Sequence, residues 1–354
     1  MKKIIVILLT ALALSAATLY AGAQALPAKF EVNIKSKDHV QGMAIDTAAR
    51  CFYLSFTTSL VKVDYEGNVL ERLDSINGHL GAMTFDARAR KLYASLECKD
   101  DEIGRGIASH LGKEAYTKDQ SRFYITVVDV DRMAMQTYEV AEAIADYKTK
   151  YGCSGIDGVT IAPQIGKKNG KPRLYVAYGI YGDISRRDND HQILLEYKPE
   201  SFKPGVTAPK ASAKYFVFTG NTTWGVQNLC YDPKTGCIFM ASYSGKKPEF
   251  PNFSLFAVPV NQKPEKKVLR GLEDDGEHLS LALWQQGLLS TVKGIRGWRF
   301  SDACTGVCTL GDGTWYISTP LKLRRGYQTA TVRQLKWKGG PQENPFEQVA
   351  DNSR

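Results

Sequence analysis

The chain has 354 residues, of which 43% are apolar and 23% are charged, and its formal net charge is +9. This composition is typical of a folded globular protein with a large core and argues against wholesale disorder. The basic residues are scattered in short pairs and form no stripe, so we expect no nucleic-acid partner. The positive net charge is compatible with an anionic small ligand but does not require one.

The first 25 residues have the order of a secretory signal peptide. Two lysines precede an apolar run from Ile4 to about Leu19, and the small-residue segment AQA ends at Ala25. We therefore predict cleavage near Ala25, a periplasmic or extracellular location, and one mature domain over residues 26–354. A retained membrane anchor is the alternative, because the run is almost long enough to span a bilayer. After cleavage we expect no membrane span.

Seven cysteines remain after this cleavage, at positions 51, 98, 153, 230, 237, 304 and 308. None of them has the CxxC spacing of a zinc ribbon, which argues against a structural zinc site. In an exported protein some could form disulfides, although an odd number leaves at least one thiol free.

One motif recurs along the chain and predicts the fold. HVQGMAIDTAARCFYLSF (39–56) aligns without a gap to HLGAMTFDARARKLYASL (79–96), and GVQNLCYDPKTGCIFMAS (225–242) is a third copy. Looser copies begin near residues 155 and 304. Each copy is an apolar strand, a turn built on Asp, Pro or Gly, and a second strand rich in aromatic and β-branched residues.

Further strands follow most copies, so the repeat unit has three or four strands. Such repetition predicts an all-β fold, a β-propeller with five blades. The interval from 225 to 304 is long enough to hold a sixth blade around 278–292. We expect KFEVNIKS (29–36) to pair with the last blade and close the ring, because closure removes exposed sheet edges. Three segments leave the strand pattern and are interpreted as loop insertions, at about 98–121, 139–152 and 179–191.

Several of these stretches, among them YASLECKDDEIGRGI, YGCSGIDG and AYGIYGDISRRDNDHQILLEY, resemble a family of secreted bacterial β-propeller proteins of uncharacterised activity. The resemblance covers about residues 39–200. It implies export and a propeller, and it implies no activity.

Equivalent repeat positions should lie at one level of a propeller, so His39 and His79 are expected at one mouth of the central channel. An imidazole there can bind a metal or accept a proton. We predict His79, His39, Asp157 and Glu97 as catalytic residues, with Glu97 near the rim of the pocket. The alternatives are structural hydrogen bonding for the histidines and a solvated acidic loop for Glu97.

Amide and aromatic side chains near the same mouth predict substrate binding by Gln41, Trp224, Asn228 and Tyr181. Asp157, Asn228 and His79 are the candidate ligands of a divalent metal ion. Oxygen ligands favour calcium, our first expectation, whereas mixed nitrogen and oxygen ligands favour zinc, manganese or iron.

These residues support two functions. The first is a hydrolase or lyase that acts on a glycan or an anionic ester, with or without a metal. The second is a non-catalytic propeller that binds a glycan, peptide or partner protein through the same face. The chain has no GxSxG, HExxH or P-loop motif, which argues against serine esterases, zincins and P-loop nucleotide enzymes.

Overall fold

A computed structural model of the protein describes residues 26–150, 153, 155–180, 185–186, 190–269, 272 and 276–350. The fold is all-β, with five small antiparallel sheets arranged in a ring as the blades of a β-propeller. The predicted leader lies outside the described residues. Within the described part of the chain, no helix is both long and apolar enough to cross a membrane.

The first two blades each contain four strands in sequential order. Before them, the N-terminal strand β1 covers Lys29–Glu31. Blade 1 comprises β2 (Val40–Asp46), β3 (Cys51–Phe56), β4 (Ser59–Val63) and β5 (Val69–Leu73). Blade 2 comprises β6 (His79–Asp86), β7 (Lys91–Cys98), β8 (Arg122–Asp129) and β9 (Ala134–Glu139).

Blades 3 and 4 are less regular. Blade 3 comprises β10 (Gly158–Pro163), β11 (Pro172–Gly179), β12 (His191–Tyr197) and β13 (Ala213–Phe218), and blade 4 comprises β14 (Thr222–Asp232), β15 (Cys237–Ser244) and β16 (Leu255–Pro259). Two hairpins follow, formed by β17 (Glu265–Val268) with β18 (Glu277–Leu281) and by β19 (Leu288–Ser290) with β20 (Ile295–Gly297).

Strand β18 pairs in parallel with β13 and so extends blade 3. The sixth blade considered for residues 278–292 is therefore wrong, because this segment adds one strand to an existing sheet and then begins the second hairpin. The second hairpin lies beside blade 4, where Leu255 of β16 forms a bridge with Trp298.

Blade 5 contains both ends of the described chain. It comprises β21 (Val307–Thr309), β22 (Thr314–Lys322) and β23 (Gln328–Trp337), with β1 and β24 (Phe346–Gln348) both paired to β23. Phe30 lies opposite Val332, and Ser36 bridges Gln328. The predicted closure of the ring by the N-terminal strand is confirmed.

Short helices stand among the strands. In the predicted insertion 98–121, helix α1 (Glu102–Leu111) begins at its N-cap Asp101 and ends at Gly112, and a 3-10 turn covers Lys118–Gln120. In 139–152, helix α2 (Ala141–Ala145) continues as one π turn, Asp146–Lys150. Much of 179–191 lies outside the described residues. Further 3-10 turns cover Pro199–Ser201, Ser301–Thr305 and Arg324–Gly326.

The core lies between neighbouring blades, where apolar faces of adjacent sheets pack together. The Phe52 ring of blade 1 contacts Tyr316 of blade 5 with centroids 5.0 Å apart, and Phe239 of blade 4 contacts Trp315 of blade 5 at the same distance. The innermost strands β2, β6, β10, β14 and β21 contact one another in a closed cycle around the channel. Residues at the beginnings of these strands therefore meet at one mouth.

Candidate functional site

A histidine and two carboxylates converge at the channel mouth where the inner strands begin. His79 is the first residue of β6 and lies opposite Glu97 of β7, and Asp157 directly precedes β10 in the next blade. His79 Nδ1 is 3.9 Å from Glu97 Oε2 and 3.8 Å from Asp157 Oδ1. One ligand-capable atom from each residue lies within 4.8 Å of the other two.

These groups are enclosed by the blades. His79 is 9% exposed and Glu97 is 2% exposed, so Glu97 lies inside the cluster and not near the rim of the pocket, and the alternative of a solvated acidic loop does not hold for it. In the part of the chain that the structure describes, His79 Nδ1 and Glu97 Oε1 have no hydrogen-bond partner. A buried polar atom left unpaired costs about 1–3 kcal/mol, so a further polar partner at these atoms would be stabilising.

Two glycines make the space for the carboxylates. A Cβ atom on Gly155 would lie 1.8 Å from Glu97 Oε1, and its φ of +124° is one that other residues rarely adopt. A Cβ atom on Gly81 would lie 2.8 Å from Asp157 Oδ1. Both positions therefore require glycine for the present placement of the carboxylates.

Two further charged residues, which are not among the predicted site residues, complete the cluster. Lys99 Nζ lies 2.9 Å from Glu97 Oε2 and 3.1 Å from Asp101 Oδ2. Asp101 also accepts a hydrogen bond from the Gly104 amide at the start of α1. Their place in the cluster could have been predicted from the alternation of Glu97, Lys99 and Asp101, because alternate residues of an extended segment share a face.

Burial controls the protonation of the cluster. It lowers the pKa of His79 to about 3, and the nearby Lys99 ammonium acts in the same direction. Burial raises the pKa of Asp157, which the Glu97 charge raises further. Burial also raises the pKa of Glu97, against the opposing effect of Lys99. A neutral imidazole at physiological pH follows from these shifts, and both carboxyl groups lose their protons at a higher pH than usual.

For Lys99 the neighbouring charges outweigh the effect of burial on the pKa. Burial alone would lower its pKa, but the charges of Glu97, Asp101 and Asp157 outweigh burial and raise it. Lys99 therefore stays an ammonium group and is a donor, not a metal ligand.

No protein-family model and no curated protein matches the chain. Among solved structures, the chain is similar to a functionally unknown protein from Desulfotomaculum acetoxidans DSM 771. The two are 10% identical with a TM-score of 0.38, and the match covers 88% of this chain and 69% of that chain. A likeness at this level carries no functional argument. The propeller that the resemblance implies agrees with the fold. Membership of a secreted family and export stay predictions.

His39 and Gln41 lie at the same mouth on blade 1. His39 precedes β2 directly, and the side-chain nitrogen of Gln41 is 2.8 Å from His39 Nε2. Burial lowers the pKa of His39, an effect that Asp38 opposes. The charge of His39 is one cause of the lowered pKa of His79, so the two histidines lie near each other.

Asn228 connects the inner strands across the channel. Its Nδ2 donates to the carbonyl oxygen of Gln41 at 3.1 Å and to that of Cys304 at 2.8 Å, and the residue is 1% exposed. These contacts join blades 1, 4 and 5. The amide nitrogen of Asn228 thus has a structural use, and its predicted roles in metal and substrate binding stay predictions.

Trp224 lies on the rim, where β14 bulges, and is 49% exposed. Gln227 connects it to the cluster, because Gln227 Nε2 donates to the Trp224 carbonyl at 3.3 Å and to Asp157 Oδ2 at 3.4 Å. Tyr181, the other aromatic residue predicted to bind substrate, lies outside the described residues.

Proposed function

We propose that His79, Glu97 and Asp157 bind a divalent metal ion and that the protein is a metal-dependent hydrolase acting on a small anionic ester or a glycan. The observation that carries the proposal is the convergence of three potential ligand atoms within 4.8 Å of one another. Two buried atoms of this cluster, His79 Nδ1 and Glu97 Oε1, lack a hydrogen-bond partner among the described residues.

Charge balance supports the same proposal. When ionised, Glu97, Asp101 and Asp157 carry three negative charges near the one ammonium group of Lys99. A divalent cation would neutralise the remainder. It would also favour the ionised form of Glu97 and Asp157 against the effect of burial, since ligating carboxylates are deprotonated. The lowered pKa of His79 leaves its imidazole neutral and ready to bind.

The types of ligand atom indicate which metal ion the site would bind. One imidazole nitrogen and two carboxylates are the mixed ligands that suit zinc, manganese or iron. Calcium, the first expectation from the sequence, takes six to eight oxygen ligands and is less suited to a buried set that includes Nδ1. We therefore propose a transition-metal ion.

Such an ion would supply Lewis acidity to a carbonyl, phosphoryl or glycosidic oxygen. The protein's own residues would do the rest. Lys99 holds Glu97 in place through their 2.9 Å contact, and Gln227 contacts the other oxygen of Asp157. His39, neutral and at the same mouth, would accept a proton from the attacking water at Nε2, in place of the hydrogen bond that this atom accepts from the Gln41 amide.

The test is metal binding to purified protein stripped with chelator, measured by calorimetry and by thermal melting with Zn²⁺, Mn²⁺ or Ca²⁺. We expect one transition-metal ion per chain, release of protons on binding, and a stabilisation of about 2.7 kcal/mol at a hundredfold excess over Kd. Asp157→Asn should weaken binding at least tenfold. Asp74→Asn, at an exposed aspartate paired with Arg72, is the control.

Two outcomes would contradict the metal site: no saturable binding of Zn²⁺ or Mn²⁺, or equal affinities for the Asp157 and Asp74 variants.

The alternative function is a non-catalytic binding propeller. The pairing of Lys99 with Glu97 favours it, because this pairing already neutralises one carboxylate. Metal binding without turnover of p-nitrophenyl acetate, p-nitrophenyl phosphate or p-nitrophenyl glycosides would support this alternative.

A further inference from the structure

The rim beside the cluster has one prominent aromatic side chain. Among the large apolar residues that the structure describes as exposed, Trp224 is the only aromatic one. Other rings of the described chain, such as Trp298 and Trp315, are 1% exposed and pack between blades. An indole with half its surface in solvent forgoes about half of the stabilisation that full burial would provide.

The backbone that presents Trp224 has an unusual conformation. Its φ is +64°, in the left-handed region that bulky residues rarely adopt, and Gly225 follows with φ of +77°. The register of β14 against β15 jumps from Thr223 opposite Tyr243 to Val226 opposite Ser242. Trp224 and Gly225 are therefore extra residues, and the bulge that they form turns the indole out of the sheet.

Neighbouring residues hold this bulge in place. A Cβ atom on Gly179 would lie 2.4 Å from Gly225 Cα, so the end of β11 packs directly against the bulge. The side chain of Gln227 connects the Trp224 carbonyl to the Asp157 carboxylate. A left-handed conformation at a non-glycine residue costs of order 1–3 kcal/mol, and such strain is typical of binding sites.

The polar groups beside the indole indicate the ligand. Asp157 offers carboxylate oxygens and Gln227 offers an amide. Tyr243 offers a phenol, whose pKa burial raises to about 12, with Cys304 and Asp157 as further causes. An apolar face bordered by donors and acceptors matches a pyranose ring, whose C–H face packs on an aromatic ring while its hydroxyl groups form hydrogen bonds at the edge.

We propose that Trp224 is a stacking platform for a saccharide ring, placed so that the hydroxyl groups of the sugar reach Asp157 and Gln227. This inference rests on the proposed function in that it takes the cluster mouth as the place where the substrate binds. It narrows the substrate class to a glycan.

The test uses the purified full chain with three probes at millimolar concentrations: cellotriose, chitotriose and trigalacturonate. Calorimetry measures binding, and iodide quenching of tryptophan fluorescence reports on the exposed indole. We expect at least one trisaccharide to bind and to protect the indole from iodide. Trp224→Ala should weaken binding at least tenfold, and Trp224→Phe, which keeps an aromatic face, should weaken it less.

A stability measurement separates a binding role from a packing role. Glycine adopts a φ of +64° without strain, so Trp224→Gly should melt at or above the temperature of the parent protein. A clear fall in Tm would identify the indole as a packing element and overturn the inference. The inference is also overturned if none of the three trisaccharides binds, or if Trp224→Ala binds them as well as the parent.

Metal binding to the same variants keeps the two proposals apart. Trp224 contributes no metal ligand, so Trp224→Ala should bind Zn²⁺ or Mn²⁺ with the affinity of the parent. Trisaccharide binding by a protein that takes up no metal would leave the stacking platform standing and remove the metal-dependent hydrolase. Metal uptake without trisaccharide binding would remove the stacking platform and leave the metal site standing.

Discussion

At His79, burial determines the protonation state of the side chain. An exposed histidine titrates near pH 6.5, whereas the enclosed imidazole of His79 has its pKa lowered to about 3. Desolvation is the main cause and Lys99 the second. A residue that would change charge near physiological pH is therefore held neutral across it, as a metal ligand or proton acceptor must be.

This shift predicts how stability depends on pH. Between pH 6.5 and about 3 the unfolded chain binds a proton at His79 and the folded chain does not. His79 thus contributes stability above pH 6.5 that is lost as the pH falls, by up to about 1.4 kcal/mol per pH unit. In urea unfolding between pH 6.5 and 4.5, the free energy of unfolding of His79→Gln should fall less steeply with decreasing pH than that of the parent protein.

The carboxylates of the cluster act in the opposite direction, so the comparison must be made against the parent protein. The raised pKa values of Glu97 and Asp157 make the folded chain take up protons first, which increases stability as the pH falls through their folded values. His110→Gln, at an exposed histidine in the last turn of α1, should keep the parent slope. Equal slopes for the His79 and His110 variants would refute the assignment.

At the scale of the strands, the repeated motif marks a bulge. The pairing of β2 with β3 shifts register between Val40 and Gly42, and that of β6 with β7 shifts between Leu80 and Met83. A Cβ atom on Gly42 would lie 2.6 Å from the Gly81 carbonyl oxygen, so the two bulges pack against each other. The glycines of HVQGM and HLGAM are thus required where the inner strands approach one another.

The segment that leads into β10 gives a prediction at this scale. Gly155→Ala would place a methyl group on Glu97 Oε1 and strain a backbone with φ of +124°. We expect a loss of roughly 2–4 kcal/mol in chemical denaturation. Gly112→Ala is the matched control, because Gly112 also has positive φ, +63°, but no atom lies within 4 Å of its added Cβ.

Because φ of +124° is also more strained for alanine than φ of +63°, the double variant separates steric conflict from backbone strain. The control should lose about 1 kcal/mol through backbone strain alone. In the Gly155→Ala background, Glu97→Ala should restore part of the stability, because it removes the atom in conflict. Equal losses at Gly155 and Gly112, with no recovery in the double variant, would argue against the close placement of Glu97.

At the scale of the whole molecule, the ring is held closed by residues from both ends of the described chain. The Phe30 ring of β1 lies 5.2 Å from Phe52 of blade 1, centroid to centroid, while its backbone pairs with β23 of blade 5. The strand therefore covers the seam between the first and last blades. All seven cysteines, in contrast, are free thiols, so no disulfide supports this closure.

We predict that Phe30→Ala destabilises the protein by about 3–5 kcal/mol, since a buried aromatic side chain at the seam leaves a cavity. Lys29→Ala, at the exposed neighbour on the same strand, should stay within about 0.5 kcal/mol of the parent. Thermal or urea unfolding measures both. Similar small effects for the two variants would mean that β1 contributes little to closure.

The propeller, its five blades and the role of the N-terminal strand followed from local pattern: in-register repeats, turn residues and one strand without a nearby partner. The alternation of Glu97, Lys99 and Asp101 is also visible in the sequence, although only Glu97 is among the predicted site residues. Repeat equivalence placed His39 and His79 at one mouth, because equal positions in equal units lie at the same level.

Tertiary structure decided what depends on neighbours distant along the chain. Local pattern identifies a strand but not its partner, so the parallel pairing of β18 with β13 decided against a sixth blade. Local pattern likewise assigns polar residues to the surface. Glu97 is buried instead, because Gly155 and Asp157 of the adjacent blade close over it, and that enclosure sets the pKa shifts and the proposed chemistry of the site.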